Sequence, residues 1–484
     1  MLSTERMTAI DANAAALGVP RKQLMESSGN AVASAVRALA DQGDSVALVC
    51  GRGNNGGDAF VAARFLSAYD VTVHLLGRPE SITTDIAREN WNALVDAEVP
   101  TATHLDSTTI DLGSPTVVVD AMLGTGVSGA LREPERTAAK RINEARETGA
   151  AIVAVDVPSG IDADTGVPTG GDGSVAVDAD QVVTFHDEKP GLERLSADVT
   201  VADIGIPAAA ERFTGPGDLL ALGRERDSHK GENGAVLVVG GGPYTGAPTL
   251  SARAALRAGA DLVRVACPAS VAAAVQGFSE NLIVHGFPGE TLTPAHLERI
   301  HKLAADHDAV VFGPGLGDAE ATRSFVRAFL GEYGGRIVVD ADALQAVPDV
   351  ETEAELVCTP HHGEFAAMGG RTADDPDDRA ALVSEFATAT GHTLLVKGAV
   401  DVIAGPDGEV RRNRTGNPGM TVGGTGDVLA GTVGALAATT DSFEAAAIGA
   451  YVNGLAGDAA AEANGNGLVA TDVIDRLPEA LYDE

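Results

Sequence analysis

The chain contains little lysine and little cysteine, and it has no long apolar run. Of its 484 residues, six are lysine and three are cysteine. Cys50, Cys267 and Cys358 lack the CxxC spacing of zinc sites and the pattern of a disulfide framework, so we expect free thiols in a reducing cytoplasm. No stretch of about 18 uncharged apolar residues occurs, and residues 1–20 lack a basic-then-apolar signal pattern. We therefore expect a soluble cytoplasmic protein without a membrane partner.

Positive charge is also scarce relative to negative charge: the formal net charge is −35. The acidic residues are spread along the chain. Nucleic acid is excluded as an expected partner, since phosphate binding needs basic patches. A dispersed acidic surface suits a salt-rich cytosol, in which charge repulsion is screened, and indicates a halophile. Half of the lysines, Lys189, Lys230 and Lys397, lie in the glycine- or proline-flanked segments "EKPG", "HKGENG" and "VKGA". A lysine kept where lysine is otherwise avoided indicates a local role.

The domain organisation follows from length and periodicity. A chain of 484 residues exceeds one ordinary domain. Valine-rich runs alternate with helical patterns in the first half, and a second such series begins at "GAVLVVGGG". Such alternation predicts mainly parallel sheets covered by helices on both faces. We predict two fused α/β domains, 1–213 and 225–484. Helices are predicted near 4–17, 20–41, 58–68, 84–96, 134–148, 248–258, 427–438 and 442–462.

A glycine-rich segment, "CGRGNNGGDAF", follows the first predicted strand and precedes a helix. It contains GxGxxG at Gly51, Gly53 and Gly56, but the same pattern recurs at 124–129, so the pattern alone has little specificity. The "NNGGD" core is more informative, because its side-chain oxygens can ligate a monovalent cation while glycine N–H groups face a phosphate. An Asx-type turn that caps the helix is the alternative.

Acidic residues end two further strands of the first domain. Asp120 ends "TVVVD", Asp156 ends "AIVAVD", and Ser159 follows three residues after Asp156. If these strands are neighbours, both acids and Ser159 converge with Asn55 beyond the carboxyl ends of the sheet, where ligands of such folds gather. Each acid alone is more often a cap, but three such termini in one domain favour a pocket.

The ordered segments "NNGGD", "DAMLGTG", "VDVPSGID" and "TFHDEKPGL" resemble the NAD(P)H-hydrate epimerase domain over roughly residues 1–213. The resemblance implies a Rossmann-like three-layer sandwich and a potassium ion held by Asn55, Asp120 and Ser159. It also implies contacts to the hydrated nucleotide from Asn54, Asn55, Gly56, Gly57, Asp58, Gly124, Thr125, Gly126, Val127, Ser128, Gly129, Ala130 and Asp156. One departure is Ala59, where the family usually has glycine. We hypothesise that Asp156 is the acid/base for loss and return of the C6 hydroxyl.

A second glycine-rich segment, "NPGMTVGGTGDVLAG", covers 417–431. Its glycines permit positive φ angles, and N–H groups at a helix N-terminus attract anions. A carboxylate such as Asp427 is unfavourable beside a phosphate unless it has a separate function, such as accepting a proton from an attacking hydroxyl. No Gly-Lys-Ser/Thr follows, so the segment is not a Walker A loop. A glycine-rich turn capped by Asp427 is the alternative.

This segment stands in an ordered series with "HKGENG", "GPGLG", "VVDADAL", "CTPHHGEF" and "VKGAVDVIA". The series resembles the ADP-dependent NAD(P)H-hydrate dehydratase, a ribokinase-like α/β fold, over nearly all of 225–484. By this resemblance the hydrate contacts Ala247, Gly315, His361 and Asp427, and the adenine nucleotide contacts Lys397, Gly398, Ala399, Val400, Asp401 and Gly426. The whole chain resembles the bifunctional NAD(P)H-hydrate repair enzyme family, whose small-molecule substrates are NADHX, NADPHX and ADP.

The resemblance implies a phosphoryl transfer followed by an elimination. Hydroxide is a poor leaving group, and phosphorylation of the C6 oxygen converts it into phosphate. Gly424 and Gly426 would offer N–H groups to the moving phosphoryl group, and Asp427 would take the hydroxyl proton. For magnesium, Asp340 and Asp342 are either ligands or strand caps, and Glu364 is the better candidate for contact through water.

Three alternatives stay open for single residues. Lys397 is either a phosphate contact or a plain strand-end lysine. His361 is either a ligand of the hydrate or a capping residue beside Pro360. His362 occupies a place where the family often has proline, so we do not name it as a ligand.

Two other readings stay open for the whole chain. One is a ribokinase-like small-molecule kinase, of a hydroxymethylpyrimidine type, with a regulatory first domain; it would release a phosphorylated product. The other treats the first domain as a non-catalytic nucleotide-binding module, against which the presence of Asn55, Asp120, Asp156 and Ser159 argues. A homo-oligomer is compatible with either reading.

Overall fold

A computed structural model describes residues 2–126, 129–171, 173–224 and 227–482. The chain divides into two compact units, with the division between Ala210 and Glu211. Each unit is built around one sheet with helices on both faces, which confirms the predicted class of two fused α/β folds. Within these ranges no helix combines the length and the apolar character that a membrane span requires.

In its described part, the first unit has a seven-stranded sheet in the order β3-β2-β1-β4-β5-β6-β7, and all neighbours are parallel. The order of the first six strands is that of a Rossmann fold. The strands are β1 (Ser45–Cys50), β2 (Asp70–Leu76), β3 (Thr101–His104), β4 (Val117–Ala121), β5 (Ala151–Val155), β6 (Gln181–Phe185) and β7 (Asp198–Ala202). The helices are α1 (Thr4–Ala16), α2 (Arg21–Leu39), α3 (Asn54–Phe65), α4 (Asp85–Asp96), α5 (Glu135–Glu147) and α6 (Ala208–Arg212).

The sheet of the first unit is buried on both faces. Val46 and Leu48 of β1 belong to one apolar cluster, while Val49 belongs to the cluster on the opposite face. This alternation follows from the two-residue period of a strand, and burial on both faces explains why the strands are nearly continuous runs of valine, alanine and isoleucine. The strand order reverses between β1 and β4, and this switch point places their carboxyl ends around a crevice.

One predicted boundary in the first unit is wrong. Helix α3 begins at Asn54, four residues before the predicted start, so "NNGGD" is the first helical turn and not a preceding loop. Glycine disfavours helix interiors, which is why the pattern suggested a later start. Here close approach requires glycine, because a Cβ at Gly56 would lie 2.2 Å from the Gly51 carbonyl oxygen.

The described part of the second unit has a nine-stranded sheet in the order β10-β9-β8-β11-β12-β13-β14-β15-β16. The strands are β8 (Ala235–Val239), β9 (Leu262–Pro268), β10 (Ile283–Phe287), β11 (Ala309–Phe312), β12 (Arg336–Val339), β13 (Glu355–Cys358), β14 (Thr393–Val396), β15 (Asp401–Ala404) and β16 (Val410–Asn413). Strands β8 to β14 pair in parallel, whereas β15 and β16 are antiparallel to their neighbours. The run "TLLVKGAVDVIAG" is therefore two strands, and the turn between them holds Lys397.

Helices cover both faces of this sheet as well. They are α7 (Gly246–Arg257), α8 (Ala269–Gly277), α9 (Leu297–Ala304), α10 (Glu320–Glu332), α11 (His362–Ala367), α12 (Pro376–Thr390), α13 (Thr425–Ala437), α14 (Ser442–Asn464) and α15 (Ala470–Tyr482). The predicted helices near 248–258, 427–438 and 442–462 correspond to α7, α13 and α14. Helix α13 is buried almost throughout, and a Cβ at Gly431 would lie 2.0 Å from the Ser251 carbonyl oxygen of α7. This packing fixes the N-terminus of α13, which carries Asp427, at the sheet edge.

Candidate active sites

A cavity of about 560 Å³ opens beyond the carboxyl ends of β1, β4 and β5 in the first unit. Its wall includes these residues that the sequence predicted as substrate contacts: Asn54, Asn55, Asp58, Gly124, Thr125, Gly126 and Asp156. Gly56 and Gly57 instead pack against Gly51 and Met25, below the cavity surface. Among the described residues Gly129 and Ala130 are not part of the wall, and Val127 and Ser128 lie outside the described residues.

Asp156 is held in this cavity by a buried lysine. Its carboxylate lies 2.7 Å from the Lys189 ammonium, whose side chain is only 4% exposed. The Thr184 hydroxyl donates to the same carboxylate oxygen at 3.1 Å, and Lys189 donates to the Thr184 hydroxyl and to the Phe185 carbonyl. Asp156 has φ 65°, a left-handed conformation that non-glycine residues seldom adopt and that is frequent at functional sites. Lys189, which stood out in the sequence because lysine is scarce, thus pairs with an acid in this cavity.

Two further carboxyl groups face Asp156. Burial raises the pKa of Asp58 well above its usual range, and the carboxylates of Asp156 and Asp11 raise it further. Burial also raises the pKa of Asp11, with Arg21 opposing and Asp156 adding to the shift. Asp58 therefore retains a proton at pH values at which an exposed aspartate has lost it. Sequence reasoning missed Asp11, which lies on α1 outside any motif.

Asp120 lies beneath the cavity, fully buried. One of its oxygens accepts from the Ser159 hydroxyl at 2.7 Å, and the other accepts from the Ser159 backbone N–H at 2.7 Å. Burial raises the pKa of Asp120 to about 6, although these hydrogen bonds favour the carboxylate. The Asn55 side chain lies over Gly124, and among the described residues its buried Nδ2 has no hydrogen-bond partner. The structure thus joins Asp120 to Ser159 and leaves the Asn55 amide unsatisfied nearby.

The second unit has a cavity of about 440 Å³, which lies between the β14–β15 turn, the loop before α13, and α14. Its wall includes these predicted nucleotide contacts: Lys397, Gly398, Ala399, Asp401 and Gly426. Val400 is not part of it, and its carbonyl accepts from Arg379 at 3.1 Å. The polar wall residues that sequence reasoning did not name as contacts are Asn413, Thr415, Asn417, Thr421, Thr425 and Asn453. Asn413 ends β16 and Asn453 lies in α14, whose patterns carry no ligand signal, and the other four lie in the segment that leads into the first turn of α13.

Asp427 lies in the first turn of α13, beside this cavity. The turn begins at Gly424, whose φ of 99° favours glycine and whose Cβ would lie 2.7 Å from Leu250. Burial raises the pKa of Asp427 to about 7; the Asp340 carboxylate adds to the shift and the Lys397 ammonium opposes it. A Cβ at Gly426 would lie 3.4 Å from the Lys397 Nζ, so the bare backbone leaves room beside this charge.

Lys397 is part-buried and forms an ion pair with the buried Asp340. The two charged groups lie 3.0 Å apart, and the Thr359 hydroxyl donates to the same Asp340 oxygen at 2.8 Å. Burial lowers the pKa of Lys397, but the carboxylates of Asp340 and Glu364 outweigh it, so the pKa is raised and the charge is retained. Lys397 therefore presents a positive charge in the wall of this cavity.

The other predicted metal and hydrate residues have structural partners. Asp342 accepts from the Gly317 N–H at 2.8 Å, which ties it to the "GPGLG" loop. His361 caps α11, because its Nδ1 accepts from the Gly363 N–H at 2.9 Å and from the Glu364 N–H at 3.2 Å, while the ring stays 61% exposed. The other ring nitrogen, Nε2, lies 3.6 Å from the Glu364 Oε1.

Ala247 and Gly315 lie together at the same edge of the sheet. A Cβ at Gly315 would lie 3.3 Å from the Ala247 Cβ. The segment before α11 also joins the strand that leads to Lys397, because the Lys397 N–H donates to the Pro360 carbonyl at 2.9 Å. Of the predicted hydrate contacts, Gly315 and His361 thus follow β11 and β13, while Ala247 lies at the start of α7 and Asp427 in the first turn of α13.

Comparisons with known proteins bear on both units. The family profile described as NAD(P)H-hydrate dehydratase matches residues 235–479, and the one described as YjeF-related protein N-terminus matches 21–191. The bifunctional NAD(P)H-hydrate repair enzyme of Methanothermobacter thermautotrophicus is 45% identical over 497 aligned positions, covering 98% of this chain and 94% of the relative. The chain belongs to the bifunctional NAD(P)H-hydrate repair enzyme family.

Other members of the repair enzyme family match over nearly the same length. The proteins of Methanopyrus kandleri and Archaeoglobus fulgidus are each 43% identical, covering 99% of this chain and 96% and 98% of those relatives. A solved ADP/ATP-dependent NAD(P)H-hydrate dehydratase from Bacillus subtilis, co-crystallised with ATP and Mg²⁺, is 26% identical with a TM-score of 0.48. It covers 56% of this chain and 97% of that chain.

Proposed function

We propose that the first unit interconverts the R and S epimers of hydrated NADH and NADPH, and that the second unit dehydrates the S epimer with ADP as phosphoryl donor. The observation that carries the proposal is the constellation at the cavity of the second unit, which we therefore call the nucleotide cavity. Asp427, with its pKa raised to about 7, lies in the first turn of a helix that begins at a glycine, beside the part-buried Lys397–Asp340 pair. An anion-binding helix terminus combined with a base near its working pH is what phosphoryl transfer to a hydroxyl requires.

In the proposed dehydration, the C6 hydroxyl oxygen attacks the terminal phosphorus of ADP, and Asp427 accepts the hydroxyl proton. The bond between this phosphorus and the bridging oxygen breaks, so AMP leaves. The C6–O bond then breaks with release of inorganic phosphate, a proton leaves the adjacent ring carbon, and NAD(P)H is restored. Lys397 and the N–H groups at Gly424 and Gly426 stabilise the charge of the moving phosphoryl group.

The pH profile of dehydration follows from the state of Asp427. The carboxylate is the active form of a base, and burial raises its pKa to about 7. We expect kcat/KM for the hydrate to rise about tenfold per pH unit below this pKa and to level off above it, because kcat/KM reports ionisations of the free enzyme. The measurement is NADH formation at saturating ADP between pH 5 and pH 9. A profile that is flat across this range would contradict the role of Asp427 as base.

The proposed epimerisation uses the acidic cluster of the first cavity. Protonation of the C6 hydroxyl lets water leave, the ring carbon becomes planar, and water returns to either face while its proton is taken up. Asp58 retains a proton and lies in the electrostatic field of Asp156, so it is a suitable companion acid. Asp156 acts as the base, and the Lys189 ammonium keeps its carboxylate oriented in the cavity.

We propose that potassium binds at Asn55, Asp120 and Ser159. Asp120 is buried, and the oxygens of a carboxylate, a hydroxyl and an amide suit a hard monovalent cation. Asn55 fits this reading, since its unpartnered Nδ2 and its Oδ1 exchange places when the amide is flipped, and an unpartnered oxygen then faces the site. The bound ion would supply a positive charge that balances the buried carboxylate of Asp120.

Ser159→Ala tests the potassium site. The variant loses one ligand and one hydrogen bond to Asp120, and we expect the potassium concentration for half-maximal epimerisation to rise at least tenfold, with the maximal rate less affected. The measurement is the R-to-S rate in potassium titrations with constant total salt, with Ser174→Ala as the control. An unchanged half-maximal concentration would remove Ser159 from the ion site.

We propose that magnesium binds as a complex with the nucleotide and that Glu364 contacts it through a water molecule. Asp340 serves Lys397, Asp342 serves the Gly317 N–H, and one Glu364 oxygen accepts from the His361 N–H at 2.8 Å, so a contact through water suits Glu364 better than direct ligation. Within the described residues, no three His, Cys, Asp or Glu side chains are grouped as a metal site, and this agrees with an ion that arrives with its ligand. Removing Mg²⁺ with a chelator should stop dehydration and spare epimerisation; equal dehydration without Mg²⁺ would refute this.

One assay tests the proposed function as a whole. Mixed R and S hydrates are incubated with the enzyme, ADP and Mg²⁺, and NADH absorbance is followed to completion. Full recovery of NADH requires both activities. If only the S hydrate is converted, apart from R hydrate that epimerises spontaneously, the enzyme has dehydratase activity alone. Accumulation of a stable phosphorylated product would favour a small-molecule kinase and contradict the proposal.

We also propose a reducing, salt-rich cytosol as the place of action. The three cysteines are free and buried, which agrees with a reducing compartment. The net charge of −35 is tolerable where salt screens repulsion. Melting temperatures should therefore rise strongly with KCl concentration, and a salt-independent melting temperature would argue against this habitat.

A further inference from the structure

Asn453 lies in the wall of the nucleotide cavity and has an unsatisfied side chain. It belongs to α14, is 5% exposed, and its buried Oδ1 has no donor among the described residues. A buried amide oxygen without a partner costs about 1–3 kcal/mol, so such groups are rare unless a ligand completes them.

The neighbouring polar side chains are already paired inside the protein. The Asn413 amide donates to Asp401 at 2.9 Å and to the Ala450 carbonyl at 3.1 Å. The Asn417 amide donates to Asp458 at 2.9 Å. Asn453 differs from these two asparagines, which hold the loops and strands of the wall in place.

We infer that the base of a bound nucleotide lies at the α14 side of the cavity, which holds Asn453. Phosphates belong at Lys397 and the N-terminus of α13, as argued above for the transfer step. Leu429 lies one helical turn further along α13, and Ala450 lies one turn before Asn453 on α14; both are apolar parts of the cavity wall. An apolar slot that leads from a phosphate site to one unpaired amide suits a planar base with a polar edge.

We propose that Asn453 is a specificity-determining residue that reads the edge of adenine. Its Oδ1 accepts from the 6-amino group, and its Nδ2 donates to an adjacent ring nitrogen, the pairing that asparagine makes with adenine. Hypoxanthine and guanine carry an acceptor oxygen at position 6, which would face the Asn453 oxygen without a proton between them. The inference rests on the proposed nucleotide-dependent function of the second unit.

The test compares ADP with inosine diphosphate, IDP, in the full-length protein and in Asn453→Ala. The wild type should prefer ADP by about 5- to 150-fold in kcat/KM for dehydration, the range that one bidentate pair supplies. In Asn453→Ala the value for ADP should fall by that factor while the value for IDP changes little, so that the preference disappears. Asn464→Ala, an exposed asparagine of the same helix, is the matched control and should keep the preference.

Binding constants for ADP and IDP, measured by calorimetry without hydrate, separate this inference from the proposed function. A wild type that prefers ADP in binding but never dehydrates would remove the function and keep the role of Asn453. A folded Asn453→Ala protein that retains the wild-type preference overturns the inference, as does a wild type without preference. Asn453→Asp, nearly isosteric, serves if the alanine variant fails to fold; it loses the Nδ2 donor and should also bind ADP more weakly. If only discrimination against 2′-deoxy-ADP changes, Asn453 reads the ribose and the inference is wrong.

Discussion

Asp427→Asn is expected to lose dehydration by a factor of about 10²–10⁴, the contribution of a positioned general base. The substitution keeps the size and polarity of the side chain but removes the proton acceptor. The anion site at Lys397 and the α13 N-terminus stays intact, and the substitution removes a negative charge beside it, so ADP should bind at least as tightly as it does to the wild type. The measurements are single-turnover NADH formation from the S hydrate and calorimetric titration with ADP.

Two controls accompany this variant. Asp407→Asn removes the same charge from an exposed turn of the second unit and should leave dehydration unchanged. The R-to-S rate of Asp427→Asn should also equal that of the wild type. An Asp427→Asn protein that dehydrates at near-normal rate would refute the assignment, and with it the proposed transfer step.

The direction in which Asp427→Asn changes the folding stability can also be predicted. The folded-state pKa of Asp427, about 7, lies above the ordinary value of 3.8, so the folded state holds this proton more tightly than the unfolded state. That stabilisation is fully present below the ordinary value and is lost as the pH rises through 7. Above this pH, the wild type carries a buried charge that asparagine does not have. The melting temperature of Asp427→Asn at pH 8 should therefore be at least that of the wild type, which separates lost chemistry from lost folding.

Asp156→Asn is expected to reduce enzymatic epimerisation by a factor of about 10²–10⁴, because it removes the proposed acid/base from the first cavity. It also leaves the Lys189 ammonium, which is only 4% exposed, without its carboxylate. Removal of one partner of a buried ion pair destabilises by about 3–5 kcal/mol, so folding must be measured alongside the rate. The measurement is the R-to-S interconversion followed by chromatography, corrected for the spontaneous reaction.

The controls for Asp156 use the same loop and the same pair. Asp164→Asn removes an exposed carboxylate eight residues further along and should leave the rate unchanged. The double variant Asp156→Asn with Lys189→Met removes both charges and should recover stability without recovering epimerisation. If either folded Asp156 variant interconverts the epimers at the wild-type rate, the proposed role of Asp156 is wrong.

The sequence predicted those parts of the sites that follow strands or begin helices. Asp156 and Asp120 could be placed because the carboxyl ends of parallel strands meet at one sheet edge. Lys189 and Lys397 stood out because lysine is rare in this chain, and each forms an ion pair with an acid of its site. The start of α3 was misplaced, because local glycine content says little about close packing against another segment.

Asp11 and Asn453 could not be predicted, because each lies in a helix whose pattern is explained by packing alone. Asp11 becomes informative only when α1 places it near Asp58 and Asp156. Asn453 becomes informative only when the wall of the nucleotide cavity leaves its amide oxygen without a donor. Both facts depend on contacts between segments far apart in the chain, which a periodic pattern does not encode.

By itself, the order of short motifs determined the family and the two-part α/β architecture, and it indicated the chemistry that we propose for each site, since those motifs are local and each has its own physical reason. Only the tertiary structure decided the protonation tendencies of Asp58 and Asp427, the pairing of each lysine, and which amide is left unsatisfied. Burial and the distance between charges set these properties, and both arise only when the chain is folded.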